Sequence, residues 1–400
     1  MTMNGLGSLA DLLREAAASM QRNDSRRALE ILDQAELMAP RNPDIHFSKG
    51  GAFRKLGDPA RALAAFDAAL VIEPYHLPSI LSKGALLEDA GRTIEAAAVF
   101  RNALAIRPKS DGLPSFLAAA HARARSRVEE EARRLRSYFA EVLDAERSKL
   151  AASDLKRFDE CVEIFSGLTR AYHSEPSLLY FPALPQVSYF KRSLMPWLKD
   201  IEAASEEIEQ ELRMVLASSS ADRFSPYISF PPGAPVNQWG ELNNSAKWST
   251  WFFWLNGERQ GDACARAPKT AAILDAAPLI RIPRIGPTAM FSSLAPRMSI
   301  PPHTGSTNVR AIVHLPLILP GPAWFRVGND RREWRKGEAW AFDDTVEHEA
   351  RNDSDETRVI LIFDVWNPYL SEVERRLVSS LLQAKHAFQR KAGVAAAQLS

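Results

Sequence analysis

Disulfide chemistry and charge of one sign are both missing from this 400-residue sequence. The two cysteines, Cys161 and Cys264, lie far apart and form no CxxC pair, which excludes a secreted fold held together by disulfides. The 50 basic and 49 acidic residues nearly cancel. Because a chain without net charge has no general attraction for nucleic acid or an anionic membrane, we expect neither as a partner.

Long apolar runs are missing as well. No stretch reaches the roughly 18 uninterrupted apolar residues of a membrane span. The N-terminus also lacks the basic start and apolar core of a secretory signal. These absences favour a soluble, cytoplasmic protein. A length of 400 residues exceeds one ordinary domain, so we expect two.

A repeat of 34 residues runs through the first 110 positions. The recurring positions are prolines, small residues and an aromatic residue: Pro40, Pro74 and Pro108; Ala28, Ala62 and Ala96; Ala35, Ala69 and Ala103; Gly50 and Gly84; Phe66 and Phe100. This period and these residue types resemble the tetratricopeptide repeat (TPR), a helix-turn-helix unit. The sequence therefore predicts three helix pairs over residues 1–110.

The repeated residues have physical roles in such a unit. Gly50 and Ala62 allow paired helices to approach closely, Phe66 fills the space between them, and Pro74 ends the second helix. The first repeat has Ala16 in place of the glycine and Leu32 in place of the phenylalanine. The array serves either as a folding cap or dimer surface, or as a concave groove that binds a peptide or protein.

The sequence changes character twice after the repeats. From about 115 to 172, apolar residues recur three and four apart among charges, which predicts long amphipathic helices. We assign residues 111–177 to a helical connector and 178–400 to a second domain. After a helix near 193–217, that domain has short β-branched and aromatic runs typical of an antiparallel sandwich or barrel, followed by a final outer helix. The runs are KWSTWFFWL, TAMFSSLA, VRAIVHLPLIL, AWFRVG, EAWAFDD and RVILIFDVW.

Two histidines, His303 and His348, are the candidate metal ligands. Many iron oxygenases use two histidines and a carboxylate two residues after the first, but that position holds Gly305. We place His303 at a strand end and His348 at the end of the FDD strand-turn. Histidines this far apart are by themselves more often structural. Arg358, at the start of an apolar strand, either faces inward and requires an anion or points outward to nearby acids.

These residues carry a family resemblance. PPHTGSTNVRAIVHLPL, FDDTVEHE, RVILIFDVWNP, the upstream ACARAPKT, and Trp334 and Gly337 are similar to the aspartyl/asparaginyl β-hydroxylases, which are Fe(II)- and 2-oxoglutarate-dependent oxygenases. The match runs from roughly 180 to 375. The resemblance implies a double-stranded β-helix (jelly roll) and a metal site of two histidines with glycine in place of the acid. The animal enzyme is similar in carrying TPRs before its catalytic domain.

The resemblance also implies roles for individual residues. His303 and His348 would bind Fe(II), Arg358 would hold the distal carboxylate of 2-oxoglutarate, and the cosubstrate pocket would be lined by Ser292, His314 and Trp248. We expect Arg310 to bind a substrate carboxylate, with an outward-facing strand arginine as the alternative. Asp343 and Asp344 belong either to the outer shell of the metal or to a turn.

The predicted function is hydroxylation, with O2, of the β-carbon of Asp or Asn in a peptide or protein, while 2-oxoglutarate is decarboxylated to succinate. Ile312 stands where the animal enzyme has an arginine that contacts the cosubstrate, and Arg351 stands where an aromatic residue is expected; both differences leave the identity of the substrate open. The alternatives are hydroxylation of a small-molecule or carrier-bound amino acid, halogenation at the open metal position, and a non-catalytic TPR scaffold.

Overall fold

The computed structural model describes residues 8–106, 113–218 and 224–391. The chain divides into two compact units, Met1–Arg170 and Ala171–Ser400. Pro108 and the predicted boundary at residue 110 lie outside the described residues.

The first unit is helical, and its repeat region forms the three predicted helix pairs. They are α1 (Leu9–Gln21) with α2 (Ser25–Met38), α3 (Pro43–Lys55) with α4 (Pro59–Ile72), and α5 (Leu77–Asp89) with α6 (Thr93–Ala105). Two longer helices follow, α7 (Ala118–Arg147) and α8 (Ala152–Ser166). The helices begin at local signals of the sequence, because Asp24 and Asp58, 34 residues apart, each accept a hydrogen bond from a first-turn amide.

Close packing within each pair depends on the repeated glycine and phenylalanine. A Cβ atom on Gly50 would lie only 2.6 Å from Cδ1 of Phe66, and one on Gly84 only 2.5 Å from Cδ1 of Phe100. In the first pair the smaller Leu32 replaces the aromatic ring, and Ala16 is accommodated; both residues are buried. The prediction that the glycine lets the helices approach while the phenylalanine fills the space between them is confirmed.

The second unit is built on two antiparallel sheets. The larger sheet has the order β1-β2-β4-β11-β6-β9, with β3 paired to β2, and the smaller has the order β5-β10-β7-β8. The strands are β1 (Ser225–Pro226), β2 (Trp248–Leu255), β3 (Glu258–Arg259), β4 (Ala289–Leu294), β5 (Ser299–His303), β6 (Arg310–Ile318), β7 (Ala323–Val327), β8 (Asp330–Glu333), β9 (Trp340–Phe342), β10 (His348–Asn352) and β11 (Arg358–Trp366). From β4 to β11 the strands alternate between the two sheets, except that β7 and β8 form a hairpin within the smaller one. The expectation of a β-sheet domain with antiparallel strands is confirmed, and this alternation is compatible with a double-stranded β-helix.

Each face of the larger sheet has its own core. On the outer face, Phe291, Leu361 and Phe363 pack against helices that cover the sheet. These helices are α9 (Leu198–Ala203), α10 (Ser205–Ala217), α11 (Gly261–Arg266) and α12 (Pro268–Ala276). On the inner face, Ile360 packs against Phe325 of the smaller sheet. The final helix, α13 (Glu372–Lys391), packs on the outside through its apolar face, as predicted.

The structure corrects the placement of His348. It does not end the FDD segment; β9 ends at Phe342, and His348 is the first residue of a separate strand, β10. That strand alternates, with His348, Ala350 and Asn352 buried and Arg351 exposed.

Among the helices in the described ranges, none is both long enough and apolar enough to cross a bilayer.

Candidate active site

His303 and His348 face each other across neighbouring strands. They are cross-strand partners in the pairing of β5 with β10, and their ring centroids lie 4.1 Å apart with the planes inclined by 55°. A β-sheet brings paired residues together regardless of their separation in the sequence. The two histidines, 45 positions apart in the chain, therefore lie within reach of one cation.

Backbone carbonyls orient both imidazoles. His303 Nδ1 lies 2.8 Å from the carbonyl oxygen of Pro301, and His348 Nδ1 lies 3.0 Å from that of Val346. Since a carbonyl oxygen only accepts, each Nδ1 carries the proton and each Nε2 keeps its lone pair. Burial lowers the pKa of His303, and burial together with the neighbouring His303 holds the pKa of His348 well below its usual range. Both rings are thus neutral donors suited to a metal.

The space beside Gly305 is already filled. A Cβ atom on Gly305 would overlap the carboxylate of Asp344, with Oδ1 only 2.8 Å away. Asp344 is buried, and its Oδ1 has no hydrogen-bond partner among the described residues. No cluster of three or more His, Cys, Asp or Glu side chains suited to a metal occurs within the described ranges. The donor set at this position is the histidine pair.

Arg358 is a buried cation for which the described residues provide no carboxylate partner. It is 1% exposed, its Nη1 is 3.4 Å from the carbonyl oxygen of Ser292, and its Nε has no hydrogen-bond partner among the described residues. The guanidinium lies over the ring of Trp334, with Cζ of Arg358 4.7 Å from the ring centroid. Burial lowers the pKa of Arg358 to about 9. The outward alternative is not observed, since Asp355 instead pairs with the exposed Arg297.

Three other predicted pocket residues lie in or directly behind the wall of the same cavity. His314 lines the cavity; its Nδ1 lacks a partner in the described structure, and burial and the charge of Arg358 hold its pKa well below its usual range. Trp248 also lines the cavity, but its Nε1 donates to Ser292 Oγ at 3.1 Å. Ser292 is fully buried and lies behind this wall. Its hydroxyl fixes the indole, and its carbonyl accepts from Arg358.

Arg310 also faces inward, but two carboxylates already contact it. Its Nη2 donates to Asp344 Oδ2 at 2.8 Å, and its Nη1 lies 3.4 Å from Asp364 Oδ2. All three side chains are buried. The outward-facing alternative is wrong, and the cation expected to meet a substrate carboxylate is held in an ion triad (Asp344, Arg310 and Asp364).

Asp343 has the geometry of a turn residue. Its Oδ1 accepts hydrogen bonds from the backbone N–H of Thr345 at 3.0 Å and from the Thr345 hydroxyl at 2.5 Å. Burial raises its pKa to about 6. Of the two aspartates before His348, only Asp344 lines the cavity.

The cavity has a volume of about 470 Å³ and is lined by the histidine pair, Arg358, His314 and the ion triad. Sequence reasoning did not identify several of its wall residues, which come from distant segments: Tyr227, Phe230, Trp239, Met290, Ile300 and Asp364. Trp239 lies edge-on to His303, with ring centroids 5.0 Å apart. Asp364 was detectable in principle, because a charged residue inside the apolar run RVILIFDVW requires a buried partner.

Comparisons with known proteins agree with these two units. Residues 202–368 match the family described as aspartyl/asparaginyl beta-hydroxylase, and residues 13–76 match the tetratricopeptide repeat. The human aspartyl/asparaginyl beta-hydroxylase is 36% identical over 141 residues, covering 35% of this chain and 18% of that protein. The ornithine lipid ester-linked acyl 2-hydroxylase of Rhizobium tropici is 32% identical over 217 residues, covering 52% of this chain and 72% of that protein.

Among solved structures, part of the chain is similar to the type III secretion chaperone SycD of Yersinia enterocolitica in complex with a peptide of the translocator YopD. The TM-score is 0.29 and the identity 13%, and the match covers 32% of this chain and 95% of that one. The chain thus spans less than a fifth of the human relative and about half of the Xenopus tropicalis aspartate beta-hydroxylase domain-containing protein 2, to which it is 29% identical.

Proposed function

The chain belongs to the aspartyl/asparaginyl β-hydroxylase family, and from that premise we propose that it is an Fe(II)- and 2-oxoglutarate-dependent dioxygenase. Its proposed reaction is hydroxylation of the β-carbon of an Asp or Asn residue in a peptide or protein, with conversion of 2-oxoglutarate to succinate and CO2. The single observation that carries the proposal is the buried, anion-free guanidinium of Arg358 in the same cavity as two neutral, facing imidazoles.

The residues present fit an iron ion and a keto diacid. Two neutral imidazoles with free Nε2 lone pairs suit Fe(II), and no protein carboxylate at position 305 competes with a chelating keto acid. A buried guanidinium without an anion costs several kcal/mol, and a carboxylate removes that cost through charge-assisted hydrogen bonds. His303 and His348 would hold the metal, and Arg358 would hold the distal carboxylate.

The protein's own contribution is to position these groups and to exclude water. When bound, iron and 2-oxoglutarate activate O2 for hydroxylation of an unactivated carbon. The carbonyls of Pro301 and Val346 keep the imidazoles in the ligating tautomer. Ser292 keeps Trp248 in place against the cavity. Asp344 lines the cavity, and its Oδ1, which has no hydrogen-bond partner among the described residues, would be able to accept a hydrogen bond from a group held beside the metal.

The repeat array supports a peptide or protein substrate. The first unit contains three helix pairs, and residues 13–76 match a repeat family whose helix pairs stack into extended concave surfaces. A small molecule would not require such a surface. We therefore assign the array to holding the polypeptide that carries the target residue.

The test uses the full chain with Fe(II), ascorbate, O2 and 2-oxoglutarate. The probes are two pools of synthetic peptides with degenerate flanking residues and a central Asp or Asn. We expect succinate above the peptide-free background and a mass gain of one oxygen on the central residue. His303→Ala should abolish both signals, whereas His121→Ala, in the first unit, should leave both unchanged.

Anaerobic absorption spectroscopy provides a second measurement that does not depend on the peptide. A keto acid chelated to Fe(II) gives a visible charge-transfer band, which we expect in the wild type and not in His303→Ala. The absence of this band, together with succinate at background for both pools, would refute the proposed activity and favour the non-catalytic scaffold. Chloride or bromide should leave the product an alcohol; a halogenated product would instead establish the halogenase alternative.

A further inference from the structure

The charged side chains that line the cavity sum to a net charge of zero before any ligand binds, although Arg358 has no carboxylate partner among the described residues. Four such side chains line it besides the histidines: two arginines and two aspartates, namely Arg310, Arg358, Asp344 and Asp364. Arg310 is shared between Asp344, at 2.8 Å, and Asp364, at 3.4 Å. Under the proposed function, on which this inference rests, Arg358 is taken by the distal carboxylate of 2-oxoglutarate. Both described arginines of the lining then have carboxylate partners, although Arg310 Nε has no hydrogen-bond partner among the described residues. A second carboxylate would meet an ion triad of one arginine and two aspartates, which already carries net negative charge.

The rest of the cavity wall is uncharged and largely apolar. Ile312 lies between Arg310 and His314 on β6, and all three line the cavity, since alternate residues of a strand face the same side. Phe230, Met290 and Ile300 continue this apolar surface. A substrate carboxylate entering the cavity would lose its hydration without meeting a free cation, and it would approach the two aspartates of the ion triad. A carboxamide avoids both costs.

We propose that the cavity accepts an uncharged target side chain and selects asparagine over aspartate. Arg310 then positions Asp344 and does not bind the substrate. The specificity-determining features are the ion triad, whose two aspartates outnumber Arg310, and Ile312, which keeps the wall between Arg310 and His314 apolar.

The test compares three capped amino acids: the N-acetyl N′-methylamides of asparagine, aspartate and aspartate β-methyl ester. They match closely in shape, and only aspartate is charged. Binding is measured without O2 on the iron- and 2-oxoglutarate-loaded full chain, by quenching of tryptophan fluorescence, because Trp239 and Trp248 line the cavity. We expect asparagine and the ester to bind at least about tenfold more tightly than aspartate.

Two variants test the cause of the selectivity. Ile312→Arg adds a cation to the wall and should shift the preference toward aspartate, while Ile312→Met keeps the wall apolar and should retain the wild-type order. Asp364→Asn keeps an oxygen for the backbone N–H of Thr288 but removes one charge from Arg310, and it should also improve aspartate binding. Thermal unfolding confirms that each variant is folded.

Turnover separates failure of this inference from failure of the proposed function. If the Asp peptide pool is hydroxylated as efficiently as the Asn pool, or aspartate binds as tightly as asparagine, the selectivity is overturned while the dioxygenase activity stands. If neither pool is hydroxylated, the proposed function fails, and the binding order still tests the charge argument. Failure of all three capped amino acids to bind would overturn the selectivity as well.

Discussion

Replacement of Arg358 by methionine is expected to make the second unit more stable and unable to bind 2-oxoglutarate. The guanidinium is 1% exposed, and burial lowers its pKa to about 9 from an ordinary value of 12.5. At roughly 1.4 kcal/mol for each pH unit, this desolvation costs up to about 5 kcal/mol. Contacts with the ring of Trp334 and the carbonyl of Ser292 offset part of that cost. We therefore expect Arg358→Met to raise the free energy of unfolding by about 1–4 kcal/mol.

Tryptophan fluorescence is the appropriate assay, because all nine tryptophans of the chain lie after residue 170 and report only on the second unit. Denaturant unfolding is followed with and without 2-oxoglutarate in metal-free buffer. Ligand at a hundred times its Kd should stabilise the wild type by about 2.7 kcal/mol and leave Arg358→Met unchanged. Arg297→Met is the matched control: it removes an exposed, ion-paired arginine and should change stability by less than about 0.5 kcal/mol.

Two results would refute this reasoning. If Arg358→Met were less stable than the wild type, the buried charge would already be compensated within the protein. If the variant were still stabilised by 2-oxoglutarate, the diacid would bind elsewhere. Loss of ligand stabilisation with a gain in intrinsic stability is the combination that the structure predicts.

Three further predictions concern packing, a buried amide and pH. Gly50→Ala should destabilise the helix pair by about 1–3 kcal/mol through overlap with Phe66. Gly51→Ala, whose added Cβ would meet only Met20 Cε at an ordinary contact distance of 3.9 Å, should stabilise it by about 0.5–1 kcal/mol; amide hydrogen exchange of residues 43–72 measures both changes. Asn352→Ala should cost about 2–4 kcal/mol, because its Nδ2 donates to three backbone carbonyls; a change below about 0.5 kcal/mol in fluorescence-detected unfolding would contradict this. Burial raises the pKa of Asp343 to about 6, so the contribution of this side chain to stability falls as the pH rises from about 4 to 6. Asp343→Asn removes the titrating group and should therefore be more stabilising at pH 8 than at pH 4, by about 3 kcal/mol. An equal effect of the substitution at both pH values would argue against this assignment.

The elements that the sequence made visible are those with a regular pattern. The 34-residue period predicted the helix pairs, and the apolar runs predicted β2, β4, β6, β7, β9 and β11. The period of two on β6 also explains why Arg310, Ile312 and His314 meet in one cavity. The alternation of residues along a strand shows which side chains share a face, but it does not show which other strands the strand pairs with.

The remaining elements are hidden by their composition. The β5 sequence SIPPH contains two prolines, which an interior strand rejects, but β5 is at the edge of its sheet, where the missing N–H groups are tolerated. The β10 sequence HEARN is too polar to resemble a strand. The ion triad joins Arg310 to residues 34 and 54 positions away, so its existence depends on the pairing of strands and not on local pattern.

The overlap between position 305 and Asp344 limits which ligand sets the site can accommodate. A side chain cannot be added at Gly305 unless the Asp344 carboxylate moves, and moving it would leave Arg310 with only its more distant partner, Asp364. Adding a third ligating side chain at position 305 would thus require compensating changes around Asp344 and Arg310, because the space and the ion pair at this point exclude it.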